Sequence, residues 1–272
     1  MTFNLAQIRH VVLDLDGTIY LDGTLFSATQ PFLTLLAEME IGYTFITNNN
    51  SRSRADYVAH LHQMGIAATP ENVFTSAHAT IHYLCEHLPG VGHLFVLGTS
   101  GLEDDLREAG FAIDHQRPDG VIVGFDTTLT FGRLAQCGYW IAQGLPYIAT
   151  HPDRVCPTDR PLVLPDCGAV CALLEAATGR KPDAIPGKPS PQMLLGILHG
   201  AGYSPGDTMM VGDRVYTDIR MARDTGVCAV LTLTGEAKPE HLAELDSHER
   251  PDLVVADLAD LGRRMRDARG LS

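Results

Sequence analysis

Short apolar runs that stop abruptly at polar residues, separated by longer stretches with apolar residues three and four apart, constrain this chain more than any other feature. Runs of that length suit strands buried on both faces, and the longer stretches suit helices laid over a sheet. Together they predict an α/β protein with a doubly wound parallel-sheet, Rossmann-like core whose strands are joined by crossover helices. The core strands are expected at 10–15, 43–47, 208–211, 227–231 and 253–255, with helices at 31–40, 54–64, 191–201 and 216–224. A second βα series fills the middle, with strands at 93–97, 121–124 and 146–149 and helices at 102–109, 134–142 and 167–177. The Pro- and Gly-rich stretch 179–191 is the expected return crossing between the two series, and the outward crossing is placed near 77–80.

A length of 272 residues with 45% hydrophobic and 19% charged residues is that of an ordinary globular chain large enough for two domains. The net charge of −13 argues against a nucleic-acid partner, because phosphate-backbone affinity needs clustered Lys and Arg. The densest basic run, Arg263 to Arg266, reads as a solvated helix face. The first six residues carry no basic segment followed by an apolar core, and no apolar run reaches spanning length, so a cytoplasmic protein with no membrane partner is expected. Six scattered cysteines are expected to be reduced; Cys167 and Cys171, four apart on one helix face, read as packing residues.

Four groups of polar residues share one property: each falls at the end of a strand or the start of the next helix. Asp14 and Asp16 close the first apolar run and lead into Gly17-Thr18. A carboxylate there can attack phosphorus, while a second protonates the leaving oxygen and later activates water. Thr47, Asn48 and Asn49 follow the second run and offer a hydroxyl, amides and backbone donors before a helix; Asn50 and Ser51 read as helix-capping residues. Lys188 is held between Gly187 and Pro189 just ahead of a helix. Asp213 and Asp218 follow another run and supply the hard oxygen donors that Mg²⁺ prefers. Taken singly, each group fits a turn, a cap or an exposed side chain. Their common placement, where open α/β sheets bind ligands, points to one site.

The set Asp14-Leu15-Asp16-Gly17-Thr18, Thr47-Asn48, Gly187-Lys188-Pro189 and Gly212-Asp213 with Asp218 resembles the four ordered motifs of the haloacid dehalogenase-like phosphatases. The resemblance implies a nucleophilic Asp14, an acid/base Asp16, and phosphoryl contacts from Thr47 and Lys188. It further implies Mg²⁺ held by Asp14, the Asp16 carbonyl and Asp213, with Asp218 assisting. Thirty residues separate Asp16 from Thr47 and 140 separate Thr47 from Lys188, so an inserted domain must lie in the second interval. That arrangement is similar to the NagD-type branch, and implies a catalytic core of residues 1–78 and 185–272 with a smaller α/β cap at 79–184.

Within the cap, Ala149-Thr150-His151-Pro152-Asp153 resembles the branch's Ala-Thr-Asn-Pro-Asp with His in place of Asn, and Asp166 to Cys171 is similar to the NagD cap. His151, Asp153, Cys156, Asp166 and Cys167 are therefore the specificity candidates. Cys156 replaces the histidine of pyridoxal-type relatives, which disfavours pyridoxal phosphate. The implied activity is Mg²⁺-dependent hydrolysis of a small phosphorylated metabolite, a nucleoside monophosphate or sugar phosphate, with p-nitrophenyl phosphate as artificial substrate. A phosphotransferase and a non-catalytic phosphate-binding module are the alternatives. Related proteins form cap-mediated dimers, which makes a homodimer the assembly to test.

Overall fold

All five residues of the first strand are buried, as an unbroken apolar run requires when both faces of a sheet are covered. In the computed structural model, which describes residues 3–158, 161–246 and 249–271, the strands of two main sheets run in chain order as β1 (His10–Asp14), β2 (Gly42–Thr47), β3 (Val73–Thr75), β4 (His93–Leu97), β5 (Ala112–Ile113), β6 (Gly120–Val123), β7 (Tyr147–Ala149), β8 (Thr208–Gly212), β9 (Cys228–Thr232) and β10 (Leu253–Val255). The helices are α1 (Thr29–Glu38), α2 (Arg54–Gln63), α3 (Ser76–His87), α4 (Ser100–Glu108), α5 (Phe131–Ala142), α6 (Cys167–Thr178), α7 (Pro191–Ala201), α8 (Arg220–Thr225) and α9 (Leu258–Ala268). Met1 and Thr2, part of the N-terminal reading, lie outside the described residues. Among the described residues no helix is long and apolar enough to cross a membrane.

The chain divides into two compact units: Met1–Thr47 with Leu61–Val73 and Leu194–Ser272, and Asn48–His60 with Phe74–Met193. The first holds the six-stranded sheet, ordered β10-β9-β8-β1-β2-β3, apart from Phe74 and Thr75 of the edge strand β3. The chain starts at β1 in the middle, builds outward through β2 and β3, then returns to β8 on the other side of β1. This reversal is the topological switch point at which doubly wound sheets bind ligands. Parallel register pairs Leu13 with Val211 and Asp14 with Ile46, so β1, β2 and β8 end at one level. On one side of the unit α1 meets α9. A Cβ on Gly262 would stand 3.0 Å from the Leu35 side chain, so the small residue permits the close approach.

The second unit is built on a four-stranded parallel sheet, ordered β5-β4-β6-β7. Its strands alternate strictly. Phe95, Leu97, Val121, Val123, Tyr147 and Ala149 face a cluster with Cys137, Ile141, Cys167, Cys171 and Leu174 of α5 and α6. Leu94, Val96, Ile122 and Ile148 face Leu84 of α3 and Leu102 and Leu106 of α4. The period of two along each strand thus divides one sheet between two cores. The cysteines form no disulfide.

The outward crossing expected near 77–80 lies inside α3, which runs unbroken from Ser76. Its start is set by a capping box between Thr75 and His78, a signal hidden by the unusual use of histidine at that position. Helix α2 is capped by Ser53 and Asp56, which exchange hydrogen bonds. The Asn50 and Ser51 capping expectation is therefore corrected: Asn50 Oδ1 accepts from Phe125 N at 3.1 Å, and Ser51 Oγ donates to Asn49 Oδ1.

His10 opens β1 fully inside the first unit. Its Nε2 lies 3.0 Å from Thr44 Oγ1, its ring stacks on Tyr203 at 4.5 Å, and its Nδ1 has no partner among the described residues. Burial pushes its pKa down to about 4, against a smaller opposing pull from Asp207. The unfolded chain takes up the proton first, so stability is full above about pH 6.5 and drains as the pH falls towards 4, by on the order of 3 kcal/mol. Urea unfolding between pH 7.5 and 4.5 should show the wild type losing on the order of 3 kcal/mol more than His10→Gln, while both share the loss from His78, whose pKa burial lowers to about 3.

Candidate active site

Because β1 and β8 are neighbours that end level, the residues just past them are forced together. Asp14, Asp213 and Asp218 are all buried, and one carboxylate oxygen from each lies within 4.8 Å of the others. At that spacing each pair of negative charges repels by on the order of 3 kcal/mol in a typical protein interior. Such a set persists only where positive charge or donors surround it.

Several donors are built in. Asp213 Oδ2 accepts from Glu236 N at 2.7 Å, its backbone carbonyl accepts from Ala237 N, and Asp218 Oδ2 accepts from Arg214 N at 3.2 Å. Thr18 Oγ1 lies 3.5 Å from Asp14 Oδ2. Asp218 stands on a π-helical turn, Val215–Ile219, ahead of α8, which replaces the first half of the helix expected at 216–224. Among the described residues, Arg214 is a cation set against these carboxylates. Its burial opposes its charge, but Tyr216, Asp14, Asp213 and Glu236 more than compensate and hold its pKa above the ordinary value. That one charge is shared, since Arg214 Nε also pairs with Glu236 Oε2 at 3.0 Å.

Three glycines make the room. A Cβ on Gly17, whose φ of +90° already favours glycine, would stand 2.4 Å from Asp213 Oδ2. One on Gly212 would meet Asp218 Cγ at 2.4 Å, and one on Gly235 would meet Asp213 Oδ2 at 2.0 Å. Thr234 Oγ1 donates to the Gly17 carbonyl at 2.6 Å, tying the loop after β9 to the loop after β1. Asp16 lies on that first loop, in a bridge with Tyr20. Its carboxylate is not one of the clustered three. Thr47 is buried at the last position of β2.

The remaining candidates belong to the second unit. Asn48 and Lys188 are both buried and joined: Lys188 N donates to Asn48 Oδ1 at 2.8 Å, and Asn48 Nδ2 donates to Lys188 O at 3.0 Å. Asn48 Nδ2 also reaches Asp153 Oδ2 at 3.1 Å. Asn49 Oδ1 accepts from Ser51, and its Nδ2 faces Cys156 Sγ at 3.8 Å. Asp166 caps α6 through Cys167 N and contacts His151 Nε2 at 2.9 Å. Burial alone would lower the His151 pKa, but the hydrogen bond and charge of Asp166, with Asp153 behind it, raise it. Cys167 is fully buried, with its thiol on the Val123 carbonyl, so its side chain belongs to the core of the unit. His151, Asp153 and Asp166 also offer atoms within 4.8 Å of one another, yet they are engaged with each other and with Asn48.

Arg214, Glu236 and Gly235 escape the sequence reading. The strand-end rule that selects Asp213 also covers its neighbour Arg214 after β8, and would reach Gly235 and Glu236 if applied to the loop after β9.

Comparison with known proteins gives this arrangement a family. Residues 11–112 match the model of the haloacid dehalogenase-like hydrolases and residues 185–261 match a second, HAD-hydrolase-like model. A dihydroxyacetone phosphatase of Corynebacterium glutamicum is 32% identical over 96% of this chain and 92% of its own. The structure of a 4-nitrophenylphosphatase from Thermotoga maritima superposes with a TM-score of 0.90 at 39% identity, covering 95% of this chain and 98% of that one. NagD from Escherichia coli K-12 superposes with a TM-score of 0.84 at 28% identity, covering 93% and 98%. The chain belongs to the haloacid dehalogenase-like hydrolases, in their NagD-type phosphatase branch. It is a phosphoric monoester hydrolase acting on small phosphates.

The tight packing of Asp213 generates a prediction. Gly235→Ala should displace that carboxylate and lower kcat/KM for phosphate release on the order of 100-fold, since small misplacements at a reacting centre are that costly. Thermal unfolding of the same variant should show the fold retained.

Proposed function

We propose that this phosphatase is Mg²⁺-dependent and hydrolyses a sugar phosphate or similarly small monoester through an aspartyl-phosphate on Asp14. The observation that carries the reading is the buried trio Asp14, Asp213 and Asp218 within 4.8 Å. The donor set fits the ion: three hard carboxylate oxygens, with one arginine charge shared with Glu236, leave a net negative charge that a divalent cation balances. Asp14 and Asp213, the Asp16 carbonyl and, in support, Asp218 would hold it. When bound, Mg²⁺ supplies positive charge that offsets repulsion between an anionic nucleophile and an anionic ester.

In this reading an Asp14 oxygen attacks phosphorus as the bond to the ester oxygen breaks, and Asp16 gives its proton to the departing alcohol. Asp16 then takes a proton from water, which attacks the phosphoryl-aspartate and releases inorganic phosphate with Asp14 restored. Thr47, the Asn48 and Asn49 backbone and Lys188 contact the phosphoryl oxygens, so catalysis rests mainly on placed charge. Residues 1–78 and 185–272 form the catalytic core, and 79–184 the cap that selects the ester. Among the cap candidates Asp153 retains partly exposed surface while His151 and Cys167 are wholly enclosed, which favours Asp153 for substrate contact. The relative named for dihydroxyacetone phosphate hydrolysis favours sugar phosphates over nucleotides, and the 4-nitrophenylphosphatase favours p-nitrophenyl phosphate as an assay substrate.

A phosphate-release screen over sugar phosphates, nucleoside monophosphates, phosphoglycolate and pyridoxal phosphate should show at least a tenfold preference for sugar phosphates. A nucleotide preference would overturn the substrate class. Asp14→Asn should abolish turnover with the fold intact, and near-normal rates would remove the nucleophile. Chelation should stop the reaction and added Mg²⁺ restore it; activity that survives chelation would exclude the metal role.

A further inference from the structure

Lys188 is asked to present a charge at a fixed point, yet it stands in a turn and carries a long, flexible stem. Something must hold its backbone. Both polar backbone groups of Lys188 pair with one side chain, that of Asn48: the N–H donates to Oδ1 at 2.8 Å and the carbonyl accepts from Nδ2 at 3.0 Å. The pairing is the one a neighbouring strand would make, supplied by a side-chain amide where no strand runs.

Only an amide offers both halves. A carboxylate accepts without donating, and a hydroxyl lacks two arms in that geometry. Asn48 is itself pinned at two further points. Its second Nδ2 contact goes to Asp153 Oδ2 at 3.1 Å, and its backbone carbonyl accepts from Ser76 Oγ at 2.6 Å, with Ser76 fully buried. Just upstream of Lys188, Gly187 N donates to the Thr150 carbonyl at 2.9 Å. A Cβ on Gly187 would stand 2.4 Å from that carbonyl and 2.9 Å from Asn48 Oδ1, so the glycine is what lets the two supports close on the turn.

We propose that Asn48 is a positioning residue: its side-chain amide clamps the backbone of Lys188, and Asp153 and Ser76 hold the clamp. The inference rests on the proposed role of Lys188 at the phosphoryl oxygens. It assigns the Asn48 side chain to Lys188 and not to the substrate.

The chain has three lysines, 181, 188 and 238, which makes the clamp measurable without turnover. Lys188 is buried, whereas Lys181 and Lys238 are exposed. The full-length protein is treated with an amine-acylating reagent, and the labelling rate of each lysine is read by mass spectrometry. In Asn48→Ala and Asn48→Asp, Lys188 should label at least tenfold faster than in the wild type while the other two are unchanged and the melting temperature stays within a few degrees. In parallel, Asn48→Ala should lower kcat/KM on the order of 100-fold. Added to Lys188→Ala it should cost less than about threefold more, because the two changes remove one function. Lys188 protection unchanged in both variants, or losses that multiply in the double variant, would overturn the clamp. Near-normal activity in Lys188→Ala alone would overturn instead the role of Lys188 on which the inference rests.

Discussion

Repulsion among three buried carboxylates is the constraint on which the rest of this structure depends. Asp14, Asp213 and Asp218 gather because β1 and β8 are adjacent, parallel and level, so the loops that leave them have no room to diverge. The surroundings are shaped to tolerate that charge. Glycines at 17, 212 and 235 allow the carboxylates to close up, backbone N–H groups of 214 and 236 point at them, and Arg214 lends a cation that Glu236 shares. The cost of that arrangement is the physical ground for the divalent cation proposed at this site.

The two sheets meet their demands differently. In the first unit the strands supply a level edge, and the loops leaving that edge carry the clustered carboxylates. In the second, the strands are shared between two cores, one with α5 and α6 and one with α3 and α4. Backbone hydrogen bonds tie Thr150 to Val123 of β6 and Gly187 to Thr150, so the turn at Gly187 hangs from that sheet. Polar contacts then pass from His151 and Asp166 through the N-terminus of α6, and from Asp153 through Asn48 to Lys188. Each member of that chain is satisfied by its neighbour, which is the condition for a buried polar network to confer rigidity and not instability.

Much of the fold can be read from the residues. β1, β2, β8, β9 and β10 fall within a residue or so of the apolar runs that mark them, as do β4, β6 and β7, because an unbroken run flanked by polar residues has few alternatives in an α/β chain. Helix α3 and the edge strands β3 and β5 carry no such mark, and α9 shows only as the solvated basic face expected at Arg263 to Arg266. Edge strands are short and need no full apolar run, α3 begins with small residues and an atypical cap, and the Arg-rich surface of α9 masks Leu258, Leu261 and Met265 beneath it. Of the carboxylates that cluster, Asp14 and Asp213 are legible since strand ends are local features, and Asp218 follows five residues after Asp213. Arg214 and Glu236 also follow strands, but no local pattern writes that they pair with each other and that Arg214 lies in the field of Asp14 and Asp213.

The sequence by itself determined the class of fold, the level at which the polar residues emerge and, through four spaced motifs, the phosphatase family. These rest on periodicity and residue type, which are properties of short windows of chain. Only the tertiary structure decided which carboxylates meet, how many charges surround them, that Cys167 and His151 are enclosed, and that the two ends of the Asn48 amide are committed to the backbone of a residue 140 positions away. Such facts depend on strand order and on which loops share a level, and no local pattern encodes a distance between residues that the chain brings together only by folding.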